Sequence, residues 1–342
     1  MKVDSSIRSL AWKYLALLAI VAINGCDNAK SPTRLFRSFF RSKSGIALTL
    51  GVDEEALRES VRAEIYDAND TAVVDARVSE ALRNCDERVI EVIRRRLDGM
   101  DLDVVAVECL RGHRFCLRLP EMDEATRIRA KQSLERVGYL EFRLTHPRNQ
   151  KLASDLLGTD MVPEGYAPSA RGDGYVRVGN YEEVVKRPGY KTRLSSFGRP
   201  PQGYVLMLEK DKDSTYRPNF VSRKTELTGE SIVSANVDRD EIGRPVVAFK
   251  LNAKGGNLMR KLTRNYIAHG ERNSTDRGRE LAIILDGELI SAPVLQSEIS
   301  TRGQISGHFY VAEAKRLAND LNSGALPVPL KILAEETWGD RQ

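Results

Sequence analysis

The sequence predicts an α+β protein made of two α+β units, a ferredoxin-like one over residues 45–146 and a second over 226–335. Three observations predict it. Between residues 45 and 146, apolar patterns of period two and of helical period follow one another as strand, helix, strand, strand, helix, strand, the split βαβ order. From residue 226 the same mixture resumes, with Asp286-Gly287 set between two apolar runs as a strong hairpin signal. Between the two units, residues 147–225 are rich in Gly, Pro and Tyr and read as an elaborated connector.

The N-terminus precedes this regular part. Lys2, Arg8 and Lys13 lead into the apolar run 14–23, the length of a signal-peptide h-region and short of the ~20 residues that span a bilayer. The run ends in Ile23-Asn24-Gly25-Cys26, which resembles the lipobox of bacterial lipoproteins and makes Cys26 the candidate lipidation site, although Asn24 is unusual there. An uncleaved signal anchor lengthened through Leu10-Ala11-Trp12 is the alternative reading. Residues 1–26 are thus signal peptide or anchor, and residues 27–44 a basic juxtamembrane linker with Arg34, Arg37 and Arg41 set among phenylalanines. Residues 1–45 hold eight basic residues against Asp4 and Asp27, a net charge of +6; with +5 for the whole chain, the rest is close to neutral at −1. The basic excess therefore predicts attraction to a membrane surface and no nucleic-acid partner. The expected location is the cytoplasmic membrane, with the globular part on the outer, periplasmic side.

In the first unit, residues 45–50 alternate as a strand and 53–68 form a charged helical stretch. Val78, Leu82, Val89, Val92, Ile93 and Leu97 recur at helical spacing and predict a helix over 78–97, stopped by Asp98-Gly99. Residues 102–110 and 114–119 are strands joined at Arg111-Gly112-His113. Asp123 caps a helix running to residue 137, and residues 139–145 form the last strand of the unit. The connector carries turn signals at Pro163, Gly165, Pro188-Gly189 and Gly203, with a strand candidate at 204–208. A structureless run of that length is uncommon, so hairpins packed on a flanking unit are expected. In the second unit, strands at 231–237 and 245–251 flank a turn. A helix over 253–266 opens with Gly255-Gly256, and strands at 281–285 and 288–290 flank Asp286-Gly287. A helix over 311–322 ends at Ser323-Gly324, and residues 336–342 are a tail.

Cys109, His113 and Cys116 have the types for zinc but make an incomplete set, so no metal is expected. A cross-strand disulfide between Cys109 and Cys116 is the stronger expectation in an oxidising compartment, with Cys85 left as a buried thiol. His146, His269 and His308 are scattered surface histidines, and no nucleophile signature of the Gly-x-Ser-x-Gly kind occurs. Gly255-Gly256 belongs to neither a Walker nor a dinucleotide-binding pattern and reads as a tight turn into its helix. The run Arg94-Arg95-Arg96 spreads around a helix and reads as a solvated face. Neither catalytic residues nor a cofactor is expected, and the protein is not an enzyme on this reading.

Leu227-Thr-Gly229, Gly243-Arg-Pro245, Leu281-Ala-Ile-Ile-Leu-Asp-Gly287, Ser291-Ala-Pro-Val294 and Ser323-Gly-Ala-Leu-Pro-Val-Pro329 resemble, in order and spacing, the head subdomain of the SecD and SecDF protein-export family. Arg94-Arg-Arg-Leu-Asp98, Arg118-Leu-Pro120 and Leu140-Glu-Phe-Arg143 resemble the base subdomain of the same first periplasmic domain. The resemblance covers about residues 70–335. It implies a SecD periplasmic-domain-like fold, with 45–146 as base and 226–335 as head. It also implies a role in Sec-dependent export, binding unfolded preprotein that emerges from the SecYEG channel, beside a SecF-like partner. On it, Arg244 and Gln296 are the substrate-contact candidates. Two departures qualify it: residues 45–50 lack the family's Gly-Gly pair, and no second hydrophobic span precedes Gln342, so only the binding role is carried over. The alternative reading is an envelope lipoprotein of the same fold with an enzymatic or metal-binding role.

Overall fold

The computed structural model describes residues 44–64, 71–102, 106–211, 213–307 and 309–339. The expected targeting segment, Cys26, residues 27–43 of the expected linker and His308 lie outside the described residues. Among the described residues, no helix is long and apolar enough to cross a membrane.

The chain begins with β1 (Ser44–Val52), whose inward residues Leu48 and Leu50 are fully buried. Next come α1 (Glu54–Glu64), α2 (Thr71–Leu82) and α3 (Cys85–Asp98). The single helix expected over 78–97 is in fact two, broken at Arg83 and Asn84; Val78 from α2 and Val89, Ile93 and Leu97 from α3 still share one core. The hairpin β2 (Ala106–Leu110) and β3 (Arg114–Pro120) turns on Gly112 and His113, both at positive φ. Then α4 (Glu124–Glu135) starts on Asp123, whose carboxylate accepts from the Thr126 amide at 2.9 Å, as the sequence predicts.

The next strand, β4 (Leu140–Thr145), overturns one expectation. It does not complete the first sheet; it pairs with two strands of a seven-stranded sheet farther along the chain. That larger sheet collects β5 (Tyr166–Pro168), β6 (Tyr175–Arg177), β7 (Tyr204–Lys210), β8 (Tyr216–Thr228), β11 (Leu281–Leu285) and β12 (Glu288–Ser291) around β4. The helices α5 (Asn149–Leu157), α6 (Tyr181–Val184) and α7 (Tyr190–Ser196) punctuate the first half of this stretch. The residues read as a connector therefore supply strands: β8 is thirteen residues long and pairs with β7 along one part and β4 along another. β11 is buried on both faces. Leu281 and Ile283 point into one core, and Ala282 and Ile284 into another.

A three-stranded sheet of β9 (Ile232–Arg239), β10 (Pro245–Leu251) and β13 (Arg302–Ile305) packs with α8 (Ala253–Tyr266) and α9 (Val311–Ser323) over the larger core. Gly255 and Gly256 lie inside the first turn of α8 rather than ahead of it, capped by the Asn252 side chain. Their use is close approach: a Cβ on Gly255 would sit 2.4 Å from Cβ of Ser231. At Asp286 and Gly287, φ is 53° and 81°, the pair of positive values a two-residue hairpin turn needs.

The last strand, β14 (Leu330–Gly339), returns to the beginning and pairs antiparallel with β1. The first sheet has the order β14-β1-β3-β2, all antiparallel, which is the ferredoxin-like order with its closing strand taken from the C-terminus. The second unit, residues 140–323, is thus an insertion between α4 and the final strand of the first. The cause is visible in burial. Leu140, Phe142 and Leu144 are inward on a strand buried almost throughout, a pattern for the centre of a sheet, whereas β14 is mostly exposed beyond Leu330 and suits an edge.

Candidate functional site

Because the second unit is inserted into the first, the chain crosses between them twice, at residues 136–139 and 324–329. Arg96 stands at that crossing. It lies seven residues after Val89 and three after Ile93, hence on the apolar face of α3, and its side chain is fully buried. Nη1 donates to the carbonyls of Ser133 and Arg136, while Nη2 donates to Val137 O at 2.8 Å and Gly324 O at 3.4 Å. One guanidinium therefore closes the C-terminal end of α4, where carbonyls lack helical partners and favour a cation, and binds both crossing segments. The glycine at 138, at φ 74°, leaves it room: a Cβ there would lie 2.9 Å from Nη2. The solvated-face reading of the arginine run holds for Arg94 and for Arg95, which pairs with Glu91, but fails for Arg96. Helical spacing from Val89 was the signal that could have found it.

The crossing segments also bind one another, Leu326 N donating to Val137 O at 2.7 Å. Asp320 of α9 is buried nearby, with Arg136 Nη1 at 3.6 Å from its Oδ2. Burial pushes the Asp320 carboxyl above the usual range, while Arg96 and Arg136 pull it back. Burial likewise lowers the pKa of Arg96, against the attraction of Asp320. At the rim, Asn319 donates to Gly99 O at 3.1 Å, and Arg88 meets Glu230 at 3.7 Å across a cleft of about 330 Å³ that Tyr139 and Leu326 also line. The rim pair is exposed and contributes little, so the buried guanidinium carries the junction.

The other residues singled out by sequence fall elsewhere. Arg244 closes the β9–β10 turn, its Nε donating to Asp240 at 2.7 Å, and Gln296 is exposed in the segment after β12. Ile242, at the tip of the same β9–β10 turn, is 72% exposed. The Cys109–Cys116 disulfide is not formed. Cys109 opposes Phe115 and Cys116 opposes Glu108, so the two side chains leave opposite faces of the hairpin, and all three described cysteines are free. Instead, Cys109 and His113 converge on the start of α3. His113 Nδ1 lies 2.8 Å from Asp86 Oδ1, Cys85 Sγ lies 3.5 Å from the same oxygen, and Cys109 Sγ lies 3.5 Å from Asp86 Oδ2. Burial, then Asp86, pushes the Cys85 thiol up to about 12 and raises Cys109 as well. His146 is half-buried with its ring edge on Tyr204, and His269 is exposed beside Asp276.

Topology and junction together define a two-part α+β scaffold, one part inserted into the other, with both crossing segments gathered at a buried junction. Residues 206–328 match the family model described as SecDF, P1 head subdomain. The chain is 31% identical over 254 residues to the protein translocase subunit SecD of Magnetococcus marinus, covering 74% of this chain and 39% of that one. It is 43% identical over 131 residues to the SecD of Leptotrichia buccalis, covering 38% and 28%. A crystal structure of SecDF in a super-membrane-facing form aligns over 86% of this chain and 30% of that one, at TM-score 0.50 and 21% identity, a likeness of fold. The chain is thus homologous to SecD proteins over about three quarters of its length, and residues 206–328 match the SecDF P1 head subdomain. It spans less than half the length of these curated relatives.

Proposed function

We propose that this chain is an accessory module of Sec-dependent protein export that binds unfolded preprotein on the outer side of the SecYEG channel, beside a SecF-like partner. The match of residues 206–328 to a SecDF head, on a scaffold that inserts this head into its base, is the observation that carries the reading. The relatives are named as translocase subunits, and none of the names is that of an enzyme. The head offers exposed apolar and polar side chains at the β9–β10 turn, Ile242 and Arg244, with Gln296 as a further candidate contact. Weak, reversible holding of extended chain needs such a surface and no catalytic group. The module is held to the cytoplasmic membrane by its N-terminus, through lipidated Cys26 or an uncleaved anchor.

Photo-crosslinking tests the binding role. Probes at Ile242, Arg244 and Gln296 are expected to label a stalled secretory substrate more strongly than probes at exposed base positions such as Glu55. Equal labelling at both sets of positions overturns it.

A further inference from the structure

We propose that Cys85, Asp86, Cys109 and His113 form a zinc-binding site at the edge of the base, a site independent of the export reading. The four residues come from three segments: the first turn of α3, the end of β2 and the turn that follows it. One donor atom each from Cys85, Asp86 and His113 lies within 4.8 Å of the others, with Cys85 Sγ 3.7 Å from His113 Nδ1. In a tetrahedral ion with Zn–S near 2.3 Å and Zn–N or Zn–O near 2.0–2.1 Å, neighbouring donors are separated by about 3.3–3.8 Å. Within the cluster of Cys85, Asp86 and His113, the spacings of 3.7 and 3.5 Å already fall in that range, and the third, His113 to Asp86 at 2.8 Å, opens by roughly half an ångström when an ion replaces the hydrogen bond. Cys109 Sγ stands just outside, 3.5 Å from the second Asp86 oxygen, and turns in as the fourth ligand.

The same geometry argues against a nucleophilic cysteine. A base that activates a thiol turns one ring nitrogen to sulfur and the other to its carboxylate. Here Cys85 and Asp86 both address Nδ1 of His113, which is convergence on a point rather than a relay. Two thiols, an imidazole and a carboxylate are a soft, mixed donor set that suits zinc over magnesium or calcium. Binding forms two Zn–S bonds as the two thiol protons leave to solvent, with no change of oxidation state. Cys85 is buried and Cys109 and His113 are accessible, so the ion has a way in. The consequence is structural: zinc would pin the start of α3 to the β2–β3 hairpin, adding to the apolar core they share, to the histidine–carboxylate contact and to weak thiol bonds.

The test is titration of the reduced, metal-free full-length chain with Co²⁺ and Zn²⁺. We expect one equivalent to bind, with a thiolate-to-cobalt charge-transfer band, displacement of cobalt by zinc, and a higher melting temperature in the zinc form. Cys109→Ser, at an exposed position, and His113→Asn, which keeps a residue tolerant of positive φ, are expected to weaken binding by more than the roughly 10–100-fold that loss of an outer-shell partner costs. Cys116→Ser, on the opposite face, is expected to bind as the parent does. Absence of the charge-transfer band in the folded parent, an equal loss in Cys116→Ser, or recovery of Cys85 and Cys109 joined as a disulfide from cells would each overturn the proposal.

Discussion

The Asp286 carboxylate, in the turn between β11 and β12, accepts a hydrogen bond at 2.8 Å from the backbone N–H of Tyr139, and its own N–H donates to Tyr139 O at 3.0 Å. A hairpin turn of the head thus grips the first crossing segment just after the point where Arg96 holds it. Asp286 also sits at positive φ. Asp286→Asn keeps a residue that tolerates this conformation and an acceptor for Tyr139, and is expected to unfold close to the parent. Asp286→Ala loses both and is expected to cost about 2 kcal/mol in denaturant melts, roughly half from the strained φ and half from the bond. Equal stabilities of the two variants would show that the side-chain contact is idle.

Arg96 gives the larger effect. Its removal leaves buried carbonyls at the end of α4 without their donor and buried Asp320 with Arg136 as its remaining cation, a loss close to that of breaking a buried pair, about 3–5 kcal/mol. Arg96→Ala is expected to lower the urea midpoint by a corresponding amount, and Arg96→Lys to restore only part of it, since an ammonium cannot reach four carbonyls from one plane. A neutral Arg96→Ala would return Arg96 to the solvated class in which its neighbours belong.

Much of the fold was legible because its signals are local. The Asp286-Gly287 turn, the Asp123 cap, the β2–β3 hairpin and the two helices of the head are set by turn chemistry and periodicity within about a dozen residues. What was not legible is set by partners far away in sequence. Nothing within residues 139–145 states that β4 will pair with β8 and β11 rather than with β1, and the ferredoxin-like order of the first sheet is completed only by residues 330–339. The site shows the same division. Arg96 was readable from its spacing to Val89, yet three adjacent arginines drew the reading toward a surface. The convergence of Cys85 and Asp86 on Cys109 and His113 depends on how α3 lies against the hairpin, which no spacing in the sequence encodes.

That long-range closure is itself testable. Ending the chain at Pro329 removes β14 and exposes the flank of β1, while β4, β8 and β11 keep all their partners. Hydrogen exchange of the truncated protein is expected to show lost protection in β1 and β3 with protection retained in β11. Uniform loss through both sheets would mean that the two parts fold as one cooperative unit.

Close approach at α8 predicts a sharp size limit. An alanine at Gly255 would place its Cβ 2.4 Å from that of Ser231, and neither atom is the flexible end of a long side chain. Gly255→Ala is expected to destabilise by about 1–3 kcal/mol despite its gain in helix propensity. Pairing it with Ser231→Gly is expected to recover much of the loss. Failure of the second change to rescue the first would place the strain elsewhere.

The pH response follows from His146. Burial, reinforced by Arg148 and Arg279, holds its pKa below the ordinary histidine value, so the folded state favours the neutral ring. A base whose pKa is depressed on folding contributes stability that is present above its unfolded pKa of about 6.5 and is lost as pH falls toward the folded pKa. The unfolded chain binds the proton first, and each step down in pH through that window favours it. Melting temperature is therefore expected to decline as pH is lowered from 7 into the mildly acidic range. In His146→Phe, which keeps an aromatic edge against Tyr204 without a titrating nitrogen, the decline through that window is expected to be shallower. An unchanged slope in the variant would assign the acid sensitivity to other groups, the paired carboxylates first among them.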